Sequence, residues 1–333
     1  MRIGLAGVGR IGAFHADTLR QLPQVGSLVV ADADPLRAQQ VADKLGVTAV
    51  AGPAELLAAG LDGLVIAAAT DAHAGLILAG VDAGLPVFCE KPVAHDLAGT
   101  LAVVARVAAA GVPVQIGFQR RFDAGYAAAR EALRAGRLGW LHTVRAGTLD
   151  PAPPPAEYVA ASGGLFRDMA VHDFDAIRWV TGREVVEVYA VGGNRGAAYF
   201  AAAGDVDTGA ALLTLDDGTV AQVSGTRYNP AGYDVRLELL GSADSVSVGL
   251  DDRLPLRSAE PGVAFPAGPA YPNFMERFRP AYAAELAWFI EVVAGRAASP
   301  CTVADALAAF RVAEACELSR REHRPVLVSE IPA

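Results

Sequence analysis

With 333 residues, 53% of them hydrophobic and 20% charged, the chain is long enough for two ordinary cores and too apolar to stay disordered. A net charge of −9 with no basic stripe speaks against a phosphate-backbone partner, so no nucleic acid is expected. Cys89, Cys301 and Cys316 form neither a C-x-x-C pair nor a disulfide framework. With no apolar run of bilayer length and no leader-like amino terminus, the expectation is a cytoplasmic protein with free thiols, no metal centre and no membrane partner.

Residues 2–6 read as a short buried strand that runs into Gly7-Val8-Gly9-Arg10-Ile11-Gly12 and then into a helical pattern through Leu22. G-x-G-x-x-G between a strand and a helix is the context a dinucleotide loop needs. Gly7 permits the tight turn, Gly9 lets the backbone approach a pyrophosphate, and Gly12 allows close packing of helix on strand. Backbone N–H groups at the helix start, around Arg10 and Ile11, would face the anion. The second strand, 27–31, ends at Asp32, twenty residues past Gly12. A carboxylate there accepts the adenosine ribose hydroxyls and repels a 2′-phosphate. Ala33 follows rather than an arginine or serine, so NAD is expected over NADP. Asp34-Pro35 opens the next helix, as cap and first position.

A further strand over 61–69 ends in Thr70-Asp71-Ala72-His73 before a helix to Gly84. Thr70 either contacts the cofactor or, with Asp71, caps that helix. His73 joins the cofactor candidates, although its first-turn position equally suits packing, as does that of His15. Pro86 to Val93 is an apolar run broken by Glu90, Lys91 and Pro92. Ligands of open α/β sheets bind outside the carboxyl ends of the strands. Glu90 and Lys91 therefore belong with the cofactor, and Lys91 is also the first catalytic and substrate-binding candidate. An X-Pro bond tolerates the cis form, and a cis Lys91–Pro92 peptide is predicted. A helix over 97–110 and a strand over 112–118 complete a doubly wound parallel α/β sheet, a Rossmann domain spanning 1–120.

Residues 121–333 read differently. After a helix over 124–135, strands at 140–149, 185–191, 208–215, 220–228, 235–240 and 245–250 follow one another, and Asp217-Gly218 is a hairpin signal. Such a succession means a mostly antiparallel open sheet with helices, an α+β domain for substrate binding and oligomerisation. Between its first two strands lie Asp150, a run of prolines bordering the substrate, the pair Gly163-Gly164, and a helix bearing Asp168, His172 and Asp175. Asp168 and His172, four residues apart, would share one helix face. An imidazole has the right pKa to take an alcohol proton, and a carboxylate beside it would orient it and stabilise its charged form. The plainer alternative is a first-turn aspartate and a packed histidine. Pro280 starts a core helix through Tyr282, Leu286, Phe289, Ile290 and Val293, a second helix covers 304–322, and 323–327 is extended.

Cys89-Glu90-Lys91-Pro92, the stretch from Gln115 to Asp123, and Gly163-Gly164 followed by Asp168-x-x-x-His172 together resemble the glucose–fructose oxidoreductase and inositol dehydrogenase (Gfo/Idh/MocA) family over essentially the whole chain. Among its members the chain is similar to the inositol 2-dehydrogenases, through Gln115 to Tyr126 and residues 274–290. The resemblance implies that Lys91, Asp168 and His172 surround the reacting carbinol, whose hydride goes to the nicotinamide of NAD. His172 would then be the general base, with Asp168 holding it and Lys91 positioning the oxygen or taking the proton first. Tyr233 resembles a tyrosine near the family's substrate pocket; Arg120 or Arg121 would line it too, unless the pair marks an anionic substrate or a solvated helix end, and Asp150 would accept polyol hydroxyls or serve as an ordinary turn residue. Leu149-Asp150 stand where the inositol enzymes tend to carry arginine and asparagine. The expected substrate is a cyclic polyol, myo-inositol giving 2-keto-myo-inositol, with scyllo-inositol and a pyranose or anhydrosugar as alternatives. An NAD-binding sensor or repressor on the same fold is the non-enzyme alternative. In the family the open sheet face supports oligomers, so a homotetramer or homodimer is expected.

Overall fold

The computed structural model describes residues 1–266 and 268–332. The chain divides into two units, Met1–Gln119 with Pro280–Leu307, and Arg120–Arg279 with the residues from 308 on.

The first unit is built on β1 (Arg2–Ala6), β2 (Ser27–Ala31), β3 (Thr48–Ala49), β4 (Gly63–Ile66), β5 (Val87–Glu90) and β6 (Val114–Gly117), in the order β3-β2-β1-β4-β5-β6. Every pairing is parallel. All residues of β4, β5 and β6 are buried, as a parallel sheet covered on both faces requires. The strand order reverses between β1 and β4, which makes the carboxyl ends of these strands the crevice of the sheet.

The sequence reading assigned 121–333 to one domain, and here the structure differs. Leu286, Phe289, Ile290 and Val292 share a core with Ile3, Leu5, Val30, Val65 and Phe88 of the first sheet and with Ala16 and Leu19 of the helix Arg10–Gln21. The helix Arg279–Val293 thus supplies the first sheet with a wall that residues 1–119 lack. Local periodicity announces an apolar helix face but not the sheet it covers.

The second unit carries β7 (Leu141–Leu149), β8 (Val185–Gly193), β9 (Thr208–Leu215), β10 (Val220–Thr226), β11 (Asp234–Gly241), β12 (Ser245–Val248) and β13 (Val326–Leu327), ordered β12-β11-β7-β10-β9-β8-β13. All neighbours are antiparallel except β7 and β10. The extended piece near the carboxyl end closes the sheet as β13, paired with β8. Along β9 and β10 burial alternates strictly: Ala211, Leu213, Ala221 and Val223 face inward, whereas Leu212 and Val220 lie on an open face with Val191 of β8. On the inward side Gly209 and Gly225 leave room for Leu165, Phe166 and Met169, the start of the helical segment that carries Asp168 and His172. No helix among the described residues is long and apolar enough to cross a membrane.

Candidate active site

In the first unit the glycine loop follows β1 directly. Gly7 adopts φ +90°, and a Cβ there would lie 2.4 Å from the Ala68 backbone, so only glycine fits the turn. A Cβ on Gly12 would lie 2.0 Å from the Gly7 carbonyl oxygen, which is the close approach of helix to loop that the spacing predicts. A Cβ on Gly9 would meet nothing within 4 Å, and Gly9 caps the helix Arg10–Gln21 without a side-chain bond. The helix start at Arg10 and Ile11 is therefore capped by no side chain, as an anion cradle requires.

Asp32 sits just past β2, 7% exposed. Its Oδ2 accepts the Val8 amide at 2.7 Å and its Oδ1 the Asp34 amide at 2.9 Å, so the carboxylate braces the glycine loop. Arg37 donates to Oδ1 at 3.2 Å from the next helix. Sequence reasoning looked for a cation at position 33 and missed this one, one helical turn further on. Asp34 caps that helix through the Leu36 and Arg37 amides, with Pro35 at the first position.

At the next strand end, Ala69 is the N-cap of the helix Thr70–Asp82, so Thr70 is its first helical residue rather than its cap. His73 is buried and reaches two carbonyl oxygens, Pro92 from Nδ1 at 2.6 Å and Ala68 from Nε2 at 3.1 Å. It ties the end of β4 to the turn after β5 and acts as a clamp. Glu90 closes β5 and lies 2.6 Å from the Nε2 of His15, which is wholly buried among Phe14, Phe88 and Tyr282. Lys91 follows, half-buried, and its peptide bond to Pro92 is cis.

In the second unit Gly163 and Gly164 both take positive φ, +83° and +99°, between the short helix Ala156–Ser162 and the segment bearing Asp168. That segment opens as a π turn, Phe166–Ala170, and continues as the α-helix Val171–Thr181. The wider turn modifies the α-helical spacing assumed for Asp168 and His172; such turns recur at functional sites. Asp168 accepts the Tyr158 hydroxyl on Oδ1 at 2.9 Å and the Arg227 guanidinium on Oδ2 at 2.7 Å. Arg227 donates also to Asp150 at 2.8 Å. Burial alone would lower the Arg227 pKa, but Asp168 and Asp150 outweigh it and hold it above its ordinary value. Sequence reasoning missed both Arg227 and Tyr158. The available signal was an arginine directly after β10, a strand-end placement like that of Lys91.

The two adjacent arginines considered for substrate contact are committed elsewhere. Arg120 is 2% exposed and donates to Asp173 at 2.6 Å and to Thr148 at 2.7 Å. Arg121 grips Asp175 through Nε at 2.9 Å and Nη2 at 2.6 Å, so Asp175 is likewise occupied. These contacts brace β7 and the turn Gln119–Phe122 against the helix Val171–Thr181 and give Arg120 a structural role. Tyr233, just before β11, is 5% exposed, and burial holds its phenol protonated by raising its pKa, against the pull of Arg120.

The chain has clear relatives among known proteins. Residues 1–118 match the family model described as an oxidoreductase family with an NAD-binding Rossmann fold, and residues 126–247 match the GFO/IDH/MocA C-terminal domain. A myo-inositol dehydrogenase of Streptomyces leeuwenhoekii is 40% identical over 322 residues, 96% of this chain and 97% of that protein. The crystal structure of a probable dehydrogenase from Thermotoga maritima superposes with TM-score 0.93 at 33% identity, covering 100% of both chains. That of a scyllo-inositol dehydrogenase from Lactobacillus casei, with bound NAD(H) and scyllo-inositol, gives 0.88 at 28% identity over 99% of each chain. The chain therefore belongs to the GFO/IDH/MocA family of oxidoreductases, an NAD-binding Rossmann unit joined to that family's C-terminal domain.

Proposed function

We propose that the protein oxidises a secondary ring hydroxyl of a cyclic polyol, with myo-inositol as the first candidate, giving 2-keto-myo-inositol. The observation that carries this reading is Asp168. Its carboxylate is pinned by Tyr158 and Arg227 one turn ahead of His172, an arrangement suited to acid–base work and of no use to a dinucleotide sensor. The relatives that act on inositols point the same way.

Gly7, Gly9 and Gly12 would hold the NAD pyrophosphate against the helix start at Arg10 and Ile11, with Asp32 at the adenosine ribose and Thr70, Glu90 and Lys91 further along the strand ends. NAD supplies the hydride acceptor when bound. Among the protein's own groups, His172 takes the hydroxyl proton on Nε2, since its Nδ1 is buried, Asp168 orients the imidazole and favours its charged form, and Lys91 donates to the hydroxyl oxygen as negative charge develops on it. Asp150 and Tyr233 would bind the other ring hydroxyls. The open face of the second sheet, with Val191, Leu212 and Val220 outward, supports a homodimer or homotetramer in a soluble cytoplasmic enzyme.

The test is NADH formation against a panel of inositols, aldoses and anhydrosugars, with NADP in parallel and Lys91→Ala as control. Turnover of myo-inositol that is lost in the variant supports the reading. Turnover of scyllo-inositol or a sugar alone moves the substrate and leaves the chemistry. Tight NAD binding without turnover of anything would favour the sensor. Light scattering that reports a monomer would remove the oligomer.

A further inference from the structure

Arg227 lies at the end of β10 with its side chain 6% exposed, and its guanidinium meets two carboxylates, Asp150 at 2.8 Å and Asp168 at 2.7 Å. Its own backbone amide donates to the Asp207 carbonyl at 2.8 Å, which fixes the strand end from which the side chain departs. The two carboxylates come from different elements, Asp150 from the loop after β7 and Asp168 from the π turn. One planar fork therefore joins three segments, a geometry that a single ammonium could not reproduce.

We infer that Arg227 is a positioning residue for the site. By bridging Asp150 and Asp168 it sets where both carboxylates stand and keeps two like charges ionised side by side. This inference rests on the reading of Asp168 and His172 as the acid–base pair. Without the guanidinium the two carboxylates would repel, and the cheaper outcomes are that they separate or share a proton. Either outcome removes the fixed anion on which His172 depends. Three neighbouring groups do not replace the cation. Tyr158 is a neutral donor, Asp150 carries the same charge as Asp168, and Arg167 on the same turn is engaged by Glu314 at 2.5 Å and 2.8 Å.

The test is a cycle of Arg227→Met, Asp150→Asn and the double variant, read by kcat, by NAD affinity and by Tm. Arg227→Met is expected to lower kcat on the order of 10²-fold through misplacement of the acid–base pair, with NAD affinity unchanged. Removing the second charge should then help rather than hurt. In the Arg227→Met background, Asp150→Asn should raise Tm and restore kcat by about fivefold or more, the size expected for coupled neighbours. A merely structural arginine would give losses that add. Additive losses in kcat, or a kcat of Arg227→Met equal to that of the unaltered protein, overturn the inference. A rise in Tm without recovery of kcat also overturns it, because the bridge would then serve stability alone. Should Arg227→Met not fold, Arg227→Lys keeps the charge without the fork: reduced kcat at unchanged NAD affinity supports the inference and full kcat overturns it. If the unaltered protein oxidises no polyol, the proposed function fails, whereas the Tm cycle still reads the bridge on its own.

Discussion

The helical segment that carries His172 is tied down by arginine–carboxylate contacts of two kinds. Arg120–Asp173 and Arg121–Asp175 are shut inside the core, with no side chain more than 5% exposed. Arg227 instead faces two carboxylates, Asp150 and Asp168, which remain 21% and 10% exposed. A pair shut inside the core holds elements together. The corner at Arg227 keeps part of its carboxylate surface exposed. Two networks of the same residue types, on one short stretch of chain, thus differ by exposure rather than by residue identity.

The sharpest way to break this contrast is to remove a cation from the closed side. Arg120→Met would strand Asp173, whose pKa burial already raises against the opposing Arg120 and Thr148, and should cost about 3–5 kcal/mol in urea unfolding. The sign with pH follows from the raised value. The folded state holds the Asp173 proton more tightly than the unfolded chain does, so the variant should regain stability as pH falls and lose it as pH rises through the folded pKa. A variant that unfolds normally and only raises KM would return Arg120 to the substrate.

On the open side the expected losses are in rate. His172→Ala should lower kcat by about 10² to 10⁴ with NAD affinity intact, as measured by steady-state turnover beside fluorescence titration. An unimpaired kcat would end the assignment of the general base. In the first unit, Gly7→Ala forces a Cβ against the Ala68 backbone at positive φ and should cost more than about 1 kcal/mol, read in Tm and in weakened NAD binding. The smallest effect is a silence. Burial pushes the Cys89 and Cys316 thiols well above their ordinary values, Glu90 and Glu317 adding to the shift, so neither should react with a thiol reagent near neutral pH until urea is added. Labelling of the native protein at either position would show that these cores open.

What could be read from the sequence was what is local. The glycine loop, the strand that ends in Asp32, the Asp34-Pro35 helix start, and the break at Glu90-Lys91-Pro92 with its cis bond are each specified by a few neighbouring residues. The parallel and the mostly antiparallel halves were legible for the same reason, since period and connection length are local too. What stayed hidden depends on partners far along the chain. Nothing near Arg120 announces Asp173, 53 residues away, and nothing near Arg227 announces Asp168, 59 residues away. Two arginines side by side look alike in sequence whether they meet substrate or core carboxylates. The π turn at Phe166–Ala170 was equally invisible, because a single wide turn spans too few residues to leave a periodic signature.

The wall that residues 280–307 give to the first sheet also sets an order of events during synthesis. Ile3, Leu5 and Val30 leave the ribosome long before Leu286, Phe289 and Ile290, with which they share a core. The amino-terminal unit of a nascent chain must therefore wait, its hydrophobic face uncovered, while the whole 120–279 stretch is translated. A gene fragment ending at residue 119 would encode a sheet unable to finish its own core.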